Sequence, residues 1–208
     1  MKDNFGLEET LGNLFAGDRR SILTLDEFLK GLEGRSYAFA ILALNIPNAI
    51  PTGIPWLSTI TGIPMVLLLI QYFMGRPSPV LPKSVGRRGM PRGKLQDFLA
   101  RAARYIRRLE RAVHARYEWW VRGPQRQFLL IAWAANIVIL AVPIPFDNLF
   151  PAWAIVFICF ALIEDDGVMA MLGWLFTVIT AIWTVFLLTV GYAAINALFR
   201  AVASYFFG

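Results

Sequence analysis

Residues 36–75 read SYAFAILALNIPNAIPTGIPWLSTITGIPMVLLLIQYFMG, 40 positions without one charged side chain. About 20 apolar residues in a helix cover a hydrocarbon core of about 30 Å, so length alone leaves room for two crossings. The prolines change the picture. Pro47, Pro51, Pro55 and Pro64, with Gly53 and Gly62 among them, occupy the middle of the stretch. Each proline lacks an amide donor and pushes its predecessor toward extended backbone. Two short apolar arms remain, at about 37–46 and 64–74, around an irregular polar-tipped centre. In hydrocarbon every unpaired backbone group is costly, so such a centre has to be buried in protein or line a wet cavity. The stretch therefore predicts a re-entrant hairpin or a pair of broken helices.

The same grammar returns downstream: FLLIAWAANIVILAV, the interruption PIPFDNLFP, then AWAIVFICFALI. Aligning Pro64 with Pro151 sets PMVLLLIQYF against PAWAIVFICF and leaves Pro55 near Pro143, an internal repeat of arm, proline tip and arm. Paired broken segments of this kind are the mark of transporter-like folds built from inverted repeats. A third uncharged run, 167–199, contains glycines and no proline, and as one helix would be about 50 Å long. A tilted span that continues along the interface satisfies it, as do two shorter helices broken near Gly191.

Composition agrees with a chain that lives in lipid. Of 208 residues 57% are hydrophobic and 16% charged, and the mean hydropathy is +0.56, too apolar for one soluble core. The single cysteine, Cys159, sits in an apolar run and excludes a disulfide framework or a cysteine-rich metal site. The first 20 residues carry acids where a cleaved signal would be basic, so they are not read as one. The expected architecture is an all-α, multi-pass integral membrane protein. It divides into an N-terminal segment (1–35), a first broken hairpin (36–75), a basic segment (76–126), a second hairpin (127–163) and a long C-terminal membrane helix or helices (167–208).

Residues 76–126 hold 14 of the 20 basic side chains against Asp97, Glu110 and Glu118, which places this segment, and the N-terminus across a hairpin from it, in the cytoplasm. Within it Leu95, Leu99, Ala102, Ile106, Leu109 and Val113 recur at helical spacing, opposite Arg101, Arg104, Arg108 and Arg111. That predicts an amphipathic helix over about 94–119. Lying on an anionic leaflet is one role for it; a seam in a homodimer is another. Nucleic-acid binding is disfavoured, because no reading module accompanies the charge. His114 stands without a second histidine or a carboxylate pair and reads as a polar-face residue. Upstream, Thr24 and Glu27 form a capping-box pattern before a short amphipathic helix.

Taken together, IPWLSTITGIPMVLLLIQYFMGR, the arginine-rich RYIRRLERAVHAR and VPIPFDNLFPAWAIVFICFALIEDDG resemble the ExoD family of bacterial membrane proteins, over about 20–200. The resemblance implies a part in exopolysaccharide synthesis, with other proteins of that process as partners. It brings no catalytic motif.

None is visible in the residues either: no nucleophile–base set, phosphate-binding glycine loop or metal-spaced cluster occurs, so neither an enzyme nor a cofactor is expected. Glu164-Asp165-Asp166 reads as a solvated turn, with metal or proton binding as the alternative. Asp147 stands apart, with no other charge between Arg126 and Glu164. An ionisable group at membrane depth marks a functional site by default; capping the helix that begins near Leu149 is the competing role. The hypothetical substrate or ion pathway joins Asp147 and Asn148 to the polar tip of the first hairpin, Asn45, Asn48, Thr52, Ser58, Thr59 and Thr61, with Arg76 and Arg126 at the cytoplasmic mouths. Two classes of function follow, a small transporter or flippase-like protein for a lipid-linked or ionic substrate and a non-transporting scaffold of a polysaccharide-synthesis assembly.

Overall fold

The computed structural model describes the backbone of residues 7–50, 56–114, 116–144 and 147–207, with side chains for all of these except 7, 8, 33, 105–112, 195 and 198–207. The order is α1 (Leu7–Phe15), β1 (Ile22–Thr24), α2 (Leu25–Gly31), α3 (Ser36–Ala49), α4 (Leu57–Phe73), α5 (Lys83–Gly86), β2 (Gly89–Pro91), α6 (Arg92–Ala112), α7 (Gly123–Ala141), α8 (Leu149–Glu164) and α9 (Gly167–Phe207), with 3-10 turns at Glu33–Arg35 and Glu118–Trp120.

Two segments far apart in sequence build one polar module. β1 and β2 pair antiparallel, with Leu23 opposite Met90, and α1 packs along α6. The last carbonyls of a helix lack intrahelical donors; those of α1 find theirs on α6. Arg92 donates to the carbonyls of Leu14 and Ala16, and the Gln96 amide donates to those of Phe15 and Gly17 at 2.8 and 3.2 Å. The ribbon departs from the all-α expectation, because three-residue strands are too short to leave a period in the sequence. The capping box forms as the pattern requires. The Thr24 hydroxyl accepts from the Glu27 amide, and the Glu27 carboxylate accepts from the Thr24 amide at 3.1 Å. Thr24→Ala is expected to cost about 1 kcal/mol, read as faster amide exchange confined to α2.

The apolar arms make a four-helix ring. α3 packs on α4 and α8, α4 on α7, and α7 on α8, while α9 lies along α8 and touches α7. Trp133, Ile41, Met65, Leu129, Ile137, Leu140, Ile155 and Ile158 fill the centre. The arms are longer than the prolines suggest, since Pro47 lies inside α3 and Pro64 inside α4. One proline removes one backbone bond, and packed neighbours hold the rest of the helix in place. Pro51, Gly53 and Pro55 lie outside the described residues.

Close approach at the tip end depends on Gly62. A Cβ there would stand 2.7 Å from the Ala141 Cα. Gly62→Val is expected to part α4 from α7 at a cost of about 1–3 kcal/mol, seen as a lowered melting temperature in detergent.

Two helices, Gly123–Ala141 and Gly167–Ala194, are long and apolar enough to cross a membrane; α4 and α8 are shorter and apolar. The outer surface is apolar too, with Ile60, Ile63, Leu67, Ile131, Leu175 and Ile182 all exposed. α9 is a single helix through Gly191, with no break there. α6 ends at Ala112, short of the predicted 119, because the chain beyond it is held elsewhere.

Candidate functional site

The two hairpin tips lie at one end of the ring. Asn45, near the end of α3, is fully buried and donates 2.8 Å to the carbonyl of Ala152 in the first turn of α8. Asn48 donates 2.8 Å to the Thr61 hydroxyl, which in turn donates to the Leu57 carbonyl at 2.9 Å, tying α3 to α4. Ser58 is buried beside them, and the buried Thr59 hydroxyl has no partner among the described residues. Thr52 lies outside the described residues.

Asp147 belongs to this end and is 1% exposed, unusual for an acid in a connecting loop. Its Oδ2 accepts from the Thr184 hydroxyl of α9 at 2.8 Å, and Oδ1 is buried without a partner among the described residues. The capping role is not what the carboxylate does. Asn148 occupies the cap position of α8 with no side-chain cap bond, and Asp147 turns to α9 instead.

The α9 partner of Asp147 and the polar groups along the same helix were not legible in the sequence. Thr177, Thr180 and Thr184 fall at i, i+3 and i+7 on α9, one face of a helix. Asn136 of α7, fully buried, donates to Thr177 Oγ1 and to the Ala132 carbonyl, both at 2.8 Å. Thr180 is fully buried and donates to the Phe176 carbonyl at 2.8 Å. The spacing of the three threonines was the available signal. It is weak, because a threonine in an apolar helix ordinarily satisfies itself on the carbonyl one turn back.

Arg76 and Arg126 sit at the other end of the ring, Arg76 after the last turn of α4 and Arg126 in the first turn of α7, far from the tips. That end also holds a latch. Asp166 is fully buried just ahead of α9, where its carboxylate accepts from the Val168 amide at 2.7 Å, the His114 amide at 3.3 Å and Arg116 Nε at 3.2 Å. The Gly167 amide donates 2.7 Å to the Arg116 carbonyl, and a Cβ on Gly167 would collide with the Tyr117 carbonyl. Asp165, with a left-handed φ of 52°, lies 3.7 Å from Arg122, which also pairs with Glu118 at 2.7 Å. The turn expected to be solvated is thus, at Asp166, buried by the chain that leaves α6.

On α6, Leu95, Leu99 and Ala102 are half-buried on the helix that packs against α1, whereas Lys94, Phe98, Arg101 and Arg104 are exposed. The side chains of Arg108 and Arg111 lie outside the described residues. Among the described residues no three histidine, cysteine or acidic side chains converge on a metal-sized site.

The family model described as "Exopolysaccharide synthesis, ExoD" matches residues 7–186. The chain is 30% identical over 195 residues to Protein ExoD of Rhizobium meliloti, covering 92% of this chain and 80% of that one. It is 27% identical over 176 residues to an uncharacterized protein of Synechocystis sp., covering 84% and 83%. No solved structure matches it. Both the family model and the Rhizobium relative span the hairpins, the polar module and Asp147, and the chain belongs to the ExoD family, which is implicated in exopolysaccharide synthesis.

Proposed function

We propose that this protein is a multi-pass protein of the bacterial cytoplasmic membrane that moves a lipid-linked or small ionic substrate in exopolysaccharide synthesis, through two re-entrant hairpins related by an inverted repeat. The observation that carries the reading is Asp147, a buried acid of the second tip whose carboxylate bonds to α9, at the end of the ring where Asn45 ties α3 to α8. Helix lengths support re-entrance. α3 and α8, with 14 and 16 residues, reach about 21 and 24 Å, short of a hydrocarbon core of about 30 Å, whereas α7, with 19 residues, is long enough to cross, so the reading rests on α3 and α8. Asp147 lies 17 positions before Glu164, about 25 Å along the direction of α8, so with Glu164 at the cytoplasmic surface the Thr184–Asp147 pair sits inside a core of about 30 Å, past its midplane. The matched packing of α3 on α8 and α4 on α7 supports the repeat. The basic module then faces the cytoplasm, and the protein has no catalytic centre of its own.

Reconstitution tests it. Proteoliposomes are expected to move a fluorescent polyprenyl-phosphate sugar or a monovalent ion faster than empty vesicles, and Asp147→Asn protein at the vesicle rate. Equal rates for wild type, variant and empty vesicles would remove the transport reading.

The polar module favours a second reading, a scaffold that recruits other polysaccharide-synthesis proteins. Exposed Lys94, Arg101 and Arg104 beside exposed Phe98 suit an anionic leaflet, each cation near the surface adding about 1 kcal/mol. A homodimer fits both readings, because Ile182, Val185, Phe186, Leu188 and Val190 of α9 are uncovered in one copy. Native mass in nanodiscs is expected at twice the chain mass; a monomer there would dismiss the dimer.

A further inference from the structure

The polar groups between α7, α9 and the α7–α8 loop share a chemical bias. The Nδ2 of Asn136 is committed to the Ala132 carbonyl, which fixes the amide so that Oδ1 faces away as an unpartnered acceptor. Asp147 Oδ1 is a second unpartnered acceptor. The Thr177, Thr180 and Thr184 hydroxyls have all spent their protons, on Gly173, Phe176 and Asp147; Thr177 also accepts from Asn136 Nδ2, while Thr180 and Thr184 offer lone pairs. Apart from the Trp133 indole N–H, one turn before Asn136 on α7, what the described residues leave open here is oxygen acceptors. Buried acceptors without donors are expensive, so the arrangement is complete only when a positively charged or proton-donating species enters.

Charge fixes the valence. Asp147 is the one acid between Arg126 and Glu164, and a single carboxylate neutralises a single positive charge. A divalent ion would leave net charge in an apolar bundle, and it demands more carboxylates than are present.

We propose that Asp147, Asn136 and the threonine file of α9 form a binding path for one monovalent cation, a proton or sodium, running between α7 and α9. The inference rests on the transport reading for the depth of Asp147, and it assigns the ion to α9 instead of to the first hairpin's tip. Loading with sodium exchanges it for the carboxyl proton, which passes to water; in the proton case the carboxyl simply takes up and releases that proton. Thr184 positions the carboxylate, and Thr180, midway between the two unpartnered oxygens along the helix, relays the ion.

Infrared difference spectroscopy on the full-length protein in nanodiscs reads this without requiring transport. With choline as the inert salt, a protonated-carboxyl band that Asp147→Asn removes is expected. Its loss on adding sodium at fixed pH identifies sodium; its loss only on raising the pH identifies the proton. Thr184→Val shifts the band, and Thr180→Val weakens the ion response at least tenfold, with Thr180→Ser, which keeps the hydroxyl, restoring it. A spectrum without an Asp147 band at any pH, or an unchanged response in Thr180→Val, would overturn the proposal. A normal ion response in a protein that moves no substrate would instead remove the transport reading and leave the site standing.

Discussion

Asp147→Asn is expected to abolish exopolysaccharide output while the protein accumulates in the membrane at the wild-type level. Asparagine keeps the volume of the side chain and still offers Thr184 an oxygen, so the 2.8 Å bond between the α7–α8 loop and α9 survives. What goes is the charge. An ionisable group enclosed in an apolar bundle is retained for a function that uses its ionisation; one kept only as an acceptor tolerates the amide. Output measured beside membrane-fraction immunoblots separates the two. Wild-type output from Asp147→Asn and Asp147→Ser would discard the ion role and leave the scaffold leading.

The second large effect lies at the opposite end. Asp166→Ala removes the acceptor shared by the Val168 and His114 amides and by Arg116 from a fully buried position. Breaking a buried pair by deleting one partner costs about 3–5 kcal/mol, and because Arg116 is partly exposed the loss falls near the lower end. Asp166→Asn, which keeps an oxygen for the amides, loses less. Gly167→Ala breaks the same latch by another route, since its Cβ meets the Tyr117 carbonyl, and backbone has no rotamer with which to yield. Melting in detergent, with limited proteolysis between Val113 and Arg122, is expected to show a lowered transition and new cleavage in both variants. A melting curve like wild type for Asp166→Ala would mean that the latch is dispensable.

The hairpin arms were legible because hydrocarbon-like runs and proline interruptions are local signals, and the Thr24–Glu27 cap was legible for the same reason. Pro47 and Pro64 misled only about length, since tertiary packing carries a helix past the bond that a proline deletes. The module joining 7–31 to 83–112 was hidden: its ribbon is three residues wide, and its helix-end bonds come from Arg92 and Gln96, which in sequence look like ordinary surface residues. Asp147 was found through its isolation among apolar residues. Thr184 was not, because nothing local distinguishes a threonine that reaches across to a carboxylate from one bonded to its own helix. Asp166 was misread because three acids before a glycine look solvated, and the backbone that buries it arrives from about 50 positions earlier in the chain.

The central claim is that the hairpin tips meet inside the membrane around Asp147, and depth measures it directly. With Cys159, which is buried, replaced by alanine, single nitroxides at Ile50 and Val142, exposed at the two tips, can be compared with a series along the outer face of α9 from Leu175 to Tyr192. Collision rates with oxygen and with a water-soluble nickel complex give the depth of each label. The account predicts that both tip labels sit at the oxygen-rich, nickel-poor level of the α9 labels near Thr184, inside the hydrocarbon. Nickel accessibility at Ile50 and Val142 equal to that of a label in the headgroup region on the far side would contradict it.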